Sequence, residues 1–95
     1  MTNYRKGSRV ERKVMDRLDQ RGWASARTAG SHGLFDVIAW NERGFRLIQV
    51  KAGRARNLTA GERRAVLMNP VPPNATKELW RWKDRAPEPQ IEILP

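Results

Sequence analysis

The 95-residue sequence contains no cysteine and a single histidine. The first absence excludes a disulfide framework and any thiolate metal centre, and the second excludes a histidine-based zinc site. A metal held by this chain would therefore need oxygen ligands. No apolar run approaches the roughly 20 residues required to span a bilayer, and the N-terminal MTNYRKGSRVERK has no apolar core of the signal-peptide kind. These absences predict a soluble, intracellular chain with no membrane partner. Acidic residues are also scarce: ten Asp and Glu stand against 19 Lys and Arg, for a net charge of +9. Residues 1–56 hold thirteen of the basic and five of the acidic residues, whereas residues 57–95 hold six and five. A basic field concentrated in one half suits a polyanion, above all nucleic acid, because Lys and Arg displace phosphate counterions. The basic segments lack the large Leu or aromatic face of an interfacial membrane helix.

The length predicts one small domain spanning 1–95, able to bury only about 60–65% of its unfolded surface, so that a dimer interface would be useful. There are no repeats and no low-complexity tracts. Val10, Val14 and Leu18 recur at four-residue spacing, which predicts a helix over Ser8–Arg21 that Gly22 ends. WASARTA reads as a first strand, GSHG as a loop, and Phe35–Lys51 as a hairpin. Thr59 and Glu62 have capping-box spacing before a second helix over Thr59–Met68, which the prolines of NPVPPN stop. A final hairpin pairs TKELWRWK with QIEIL. In its first strand Trp80 and Trp82 share one face, and on a chain this small they are assigned to a symmetric interface.

The stretch FDVIAWNERGFRLIQVK places an acid, an amide and an ammonium inside apolar runs. Paired residue numbers in an antiparallel ladder keep a constant sum, so a turn at Asn41–Gly44 sets Trp40 opposite Phe45, Ile38 opposite Leu47 and Asp36 opposite Gln49. The two-residue strand period adds Lys51 to the same face. Glu11 borders the stripe of the first helix, and two readings of it stand open. It completes an acidic pocket with Asp36, or it only caps the helix start, since Ser8-Arg9-Val10-Glu11 has the S-x-x-E spacing.

Glu11, Asp36 and the IQVK ending at Lys51 resemble the pattern of the PD-(D/E)xK nuclease superfamily. KGSRVERKV at Lys6–Val14 followed by RTAGSHGLFDVIAW at Arg27–Trp40 is similar, more narrowly, to the archaeal-type Holliday junction resolvases, over roughly residues 5–67. Phe35 stands where the superfamily has its proline, and Gln49 where it usually has a glutamate.

The resemblance implies an α/β, restriction-endonuclease-like fold, a mixed central β-sheet flanked by helices. It implies a homodimeric endonuclease that cleaves four-way DNA junctions in recombination and repair, in a prokaryotic cytoplasm or a virus-infected host cell. Position by position, it assigns Glu11, Asp36, Gln49 and the Val50 carbonyl to a Mg²⁺ site that also accepts Mn²⁺. Lys51 falls near the attacking water, and Ser31 in a loop by the scissile phosphate. Arg12 and Arg27 fall on phosphate-holding positions. Lys6, Arg9, Lys13, His32, Arg54 and Arg56 extend the expected DNA contacts, with DNA contact favoured over catalysis for His32. Phosphodiester hydrolysis needs an attacking hydroxide, neutralised transition-state charge and a stabilised leaving oxygen, all within reach of a hard cation on oxygen ligands. Two alternatives stand beside this reading: another nicking or structure-specific nuclease of the superfamily, and a non-catalytic DNA-binding module with Gln49 as its symptom.

Overall fold

The computed structural model describes residues 2–28, 34–53 and 57–95, with side chains described from Arg9 onward. Helix α1 (Thr2–Gln20) leads into β1 (Ala24–Arg27), β2 (Val37–Asn41) and β3 (Gly44–Ala52). Helix α2 (Ala60–Met68), β4 (Ala75–Trp82) and β5 (Gln90–Leu94) follow. The five strands form one mixed sheet in chain order. β3 and β4 are parallel and every other pair is antiparallel, so α2 is the crossover that a parallel pair requires.

The apolar stripe decides where α1 lies. Val10, Val14 and Leu18 are buried on one sheet face against Val37, Ala39, Ile48, Trp80 and Trp82. The opposite face packs Phe35, Leu47, Leu58, Leu79 and Leu94 with Val66 of α2. Successive residues of β3 thus serve the two layers in turn. Gly22 closes α1 with φ 84°, and Trp23 N–H donates to the Leu18 carbonyl at 3.0 Å in a Schellman-type end. Thr59 and Glu62 form the reciprocal capping box of α2.

Two expectations change. The helix begins at Thr2 rather than Ser8. A cap needs a residue with non-helical backbone angles, and the helix runs through Ser8, so the capping reading of Glu11 falls. The S-x-x-E spacing is simply the spacing of neighbours on a helix face. Trp80 and Trp82, assigned to an interface, are only 2% and 5% exposed within the protomer. Their indole N–H groups donate to Glu78 Oε1 at 2.9 Å and the Ala86 carbonyl at 2.8 Å. Alternation shows that both indoles need cover, but not that α1 of the same chain supplies it.

The hairpin register matches the constant sum, with Trp40 opposite Phe45 and Ile38 opposite Leu47. Its turn is fixed by Arg43 N–H donating to Asn41 Oδ1 at 2.8 Å. Gly44 at φ 140° is required there: a Cβ would lie 2.0 Å from the Asn74 carbonyl oxygen, which accepts from Phe45 N–H.

Candidate active site

Asp36 lies one residue before β2, whose ladder with β3 ends at Val37 opposite Ile48. Its N–H donates to the Ile48 carbonyl at 2.8 Å, and its carbonyl accepts from Thr28 N–H at 3.0 Å. Its side chain then takes over from the backbone: Oδ2 accepts the Val50 N–H at 2.8 Å. Asp36 is thereby pinned between the end of β1, through its carbonyl, and β3, through its N–H and carboxylate. Burial raises its pKa above the ordinary value, the Val50 amide and Lys51 oppose the rise, and Glu62 adds to it.

Glu11 arrives from α1, one residue past buried Val10 and on the flank of the buried stripe. Arg27 at the end of β1 donates Nε–H to Glu11 Oε1 at 3.0 Å. Burial, and after it the Asp36 carboxylate, raise the Glu11 pKa, with Arg27 pulling the other way. The helix and the strand start therefore bring two acids into mutual repulsion. A cation would relieve that repulsion. Each acid has one oxygen committed, in the bonds to Val50 and Arg27, and the other makes no hydrogen bond among the described residues, which leaves it for another ligand.

Gln49 and Lys51 fall on the α2 side of β3, because Ile48, Val50 and Ala52 pack toward α1. The Gln49 amide makes no hydrogen bond among the described residues and is half-buried. Lys51 Nζ donates to Glu62 Oε2 at 3.0 Å. Among the described residues no three Asp, Glu, His or Cys side chains gather as a metal cage. The donor set that fits a hard cation is two carboxylates completed by neutral oxygens, the Gln49 amide and the Val50 carbonyl among them.

Glu62 is the residue that sequence reasoning missed. The capping box was legible, but one carboxylate oxygen accepts from Thr59 N–H at 2.8 Å while the other holds Lys51. The Thr59 amide, ahead of Lys51, lowers the Glu62 pKa against some desolvation. No local pattern signals the second contact, because only the β3–α2 crossover brings position 62 to position 51. Of the expected DNA contacts, Arg9 and Arg12 are exposed, Lys13 lies 4.4 Å above the Trp82 ring, and Arg27 is engaged with Glu11. Ser31, His32, Arg54, Arg56 and the Lys6 side chain lie outside the described residues.

A mixed sheet with an acid at the start of its second strand and Gln-Val-Lys on its third, flanked by a helix carrying a glutamate, defines a restriction-endonuclease-like nuclease domain. Residues 2–65 match the model of the family described as archaeal Holliday junction resolvase (Hjc). The chain belongs to that family. It is also similar to a solved structure of Archaeoglobus fulgidus Hjc, described as a Holliday junction resolvase from an archaeal hyperthermophile. The two share 27% sequence identity with a TM-score of 0.72, and the match covers 95% of this chain and 72% of the other.

Proposed function

We propose that this chain, acting as one nuclease domain over residues 1–95, cleaves four-way DNA junctions inside the cell by metal-dependent phosphodiester hydrolysis. The observation that carries the reading is the pair of half-buried, mutually repelling carboxylates, Glu11 and Asp36, beside a lysine and a Gln49 amide that makes no hydrogen bond among the described residues. A bound Mg²⁺ would supply an activated water and neutralise developing charge. Glu11, Asp36, Gln49 and the Val50 carbonyl would hold it. Arg27 sets the orientation of Glu11, and Lys51, positioned by Glu62, adds positive charge where the phosphate gains negative charge. Ser31 and His32 contact the DNA near the cut, and Lys6, Arg9, Arg12, Lys13, Arg54 and Arg56 neutralise phosphates along the arms. Recognition follows phosphate positions and junction shape. No helix among the described residues is long and apolar enough to cross a membrane.

The test is cleavage of a labelled four-way junction beside matched duplex and flap substrates over a Mg²⁺ series, with Gln49→Glu and Gln49→Ala in parallel. A neutral amide stabilises the cation less than a carboxylate, so the unaltered chain is expected to need millimolar Mg²⁺ and to work at lower Mn²⁺. Gln49→Glu lowers the Mg²⁺ requirement, and Gln49→Ala raises it or abolishes cleavage. Superimposable titrations for all three proteins would remove Gln49 from the metal site, and equal cutting of duplex and junction would remove the substrate assignment.

Two opposed cuts in a four-way junction need two sites related by a two-fold axis, so the active species is a homodimer. With Trp80 and Trp82 inside the protomer, the large exposed apolar side chains among the described residues that remain for the contact are Leu67 and Met68 of α2, Ile91 and Ile93 of edge strand β5, and Trp40 and Phe45 of the β2–β3 hairpin. Light scattering is expected to give twice the 11.0 kDa protomer mass at micromolar concentration. A protomer mass across the whole concentration range would refute the dimer.

A further inference from the structure

We propose that a cleft between α1 and the β4–β5 turn is a second binding site for the phosphodiester backbone of DNA, built around Lys83 and Arg85. The inference rests on the junction-binding reading and adds a place where one arm is held. The cleft has a volume of about 390 Å³, and Arg9, Lys13, Trp82, Lys83, Asp84 and Arg85 line it.

Three observations converge on it. The first is unpaired charge. Elsewhere, Arg17, Arg27, Arg46, Lys51, Arg63 and Arg81 are each paired with a glutamate, and the other cations without an ion pair among the described residues, Arg12, Arg21, Arg43, Arg64 and Lys77, do not line this cleft. None of Arg9, Lys13, Lys83 and Arg85 joins an ion pair among the described residues, and Lys13 instead sits over the Trp82 ring. Four cations thus face one cleft whose lining holds a single carboxylate, Asp84. Phosphate oxygens supply the missing counter-charge.

The second observation is the turn itself. Arg85 adopts φ 64°, a backbone conformation for which glycine or asparagine is the ordinary choice. The turn is tied down by Ala86 N–H donating to the Lys83 carbonyl at 3.1 Å and by the Trp82 indole donating to the Ala86 carbonyl at 2.8 Å. A long cation is therefore presented from a fixed position that backbone preference alone would not give to arginine.

The third is placement. In the parallel ladder Lys51 lies beside Arg81 and Ala52 beside Trp82, and Gly53 N–H donates to the Trp82 carbonyl at 3.1 Å. The cleft therefore opens at the same end of the sheet as the candidate active site. Helix α1 carries Glu11 toward Asp36 on one flank and Arg9 and Lys13 toward the cleft on the other. A strand whose phosphate sits at Asp36 can continue past the N-terminal half of α1 to this turn. The family match ends at residue 65, so Lys83 and Arg85 lie beyond the part of the chain that matches it.

The experiment measures binding of a four-way junction, and of a duplex as long as one arm, over a salt series. The proteins are the unaltered chain, Lys83→Gln/Arg85→Asn, and the control Arg43→Gln/Arg64→Gln. Asparagine suits the backbone at position 85, and melting curves confirm the fold. Each lost phosphate contact lowers the magnitude of the log–log salt slope by roughly 0.9 on duplex arms, so the cleft variant is expected to lose between about one and two units. Lys83→Arg keeps the slope. The single variant Lys83→Gln, expected to lose about half the change, gives the same answer if the double variant melts early. An unchanged slope, or an equal loss from the control pair, overturns the cleft. If the unaltered chain does not prefer the junction to the duplex, the functional reading fails while the duplex slopes still report on the cleft.

Discussion

Asp36→Asn is expected to reduce single-turnover junction cleavage by at least about 100-fold, the scale of losing one electrostatic group from a catalytic site, while junction affinity stays within a few-fold. The substitution is nearly isosteric, and an asparagine Oδ1 can still accept the Val50 N–H that Oδ2 accepts now. What it removes is a negative charge beside Glu11. Because burial raises the Asp36 pKa, its ionised form opposes folding above the ordinary carboxylate range, and the neutral amide does not. The variant should therefore melt no lower than the unaltered protein. Glu11 should titrate lower in it, since the Asp36 charge is one cause of its raised pKa. Full cleavage by a folded Asp36→Asn protein would refute the catalytic assignment.

Arg46→Met is expected to produce the largest loss of stability, about 3–5 kcal/mol at neutral pH, because it strands a buried charge. Arg46 reaches Glu78 with two hydrogen bonds of 2.8 Å, and Glu78 is almost wholly buried. The guanidinium also stacks 5.0 and 5.4 Å from the Trp23 and Trp80 rings. For Glu78, desolvation is the largest influence and raises the pKa, but the hydrogen bonds from Arg46, Thr76 and Trp80 together outweigh it and leave the pKa below the ordinary value. That stabilisation is present above the unfolded-state pKa and is lost as pH falls through the folded one. In Arg46→Met the balance reverses, so burial holds Glu78 above its ordinary value and acidification relieves the variant. Urea unfolding at pH 7 and pH 4 should show the gap between the two proteins narrowing at the lower pH. A constant gap would mean that Arg46 acts through packing on the indoles alone.

The local features were legible because each has a cause within a few residues. The stripe Val10, Val14, Leu18 predicted α1, Gly22 its end, and Thr59 with Glu62 the start of α2. The constant sum of the hairpin predicted its register. The N-terminal turns of α1 were hidden because the apolar stripe starts only at Val10, and the S-x-x-E spacing offered a false start at Ser8.

By itself the sequence determined which chemistry is available: oxygen ligands, a basic first half, an acid just before the second strand, and an amide and a lysine on the third. Those are matters of residue type and short-range spacing. Only the tertiary structure decided who meets whom. Arg27 clamps Glu11 because β1 ends beside α1, and Glu62 holds Lys51 because α2 is the crossover between parallel strands. Trp80 and Trp82 are core rather than interface because α1 lies on their face, and Lys83 and Arg85 line one cleft with Arg9 and Lys13 because the β4–β5 turn follows Trp82, which α1 covers. Periodicity tells which residues share a face. What covers that face depends on how distant segments pack, and the free energy of that packing is a property of the assembled layers rather than of any one of them.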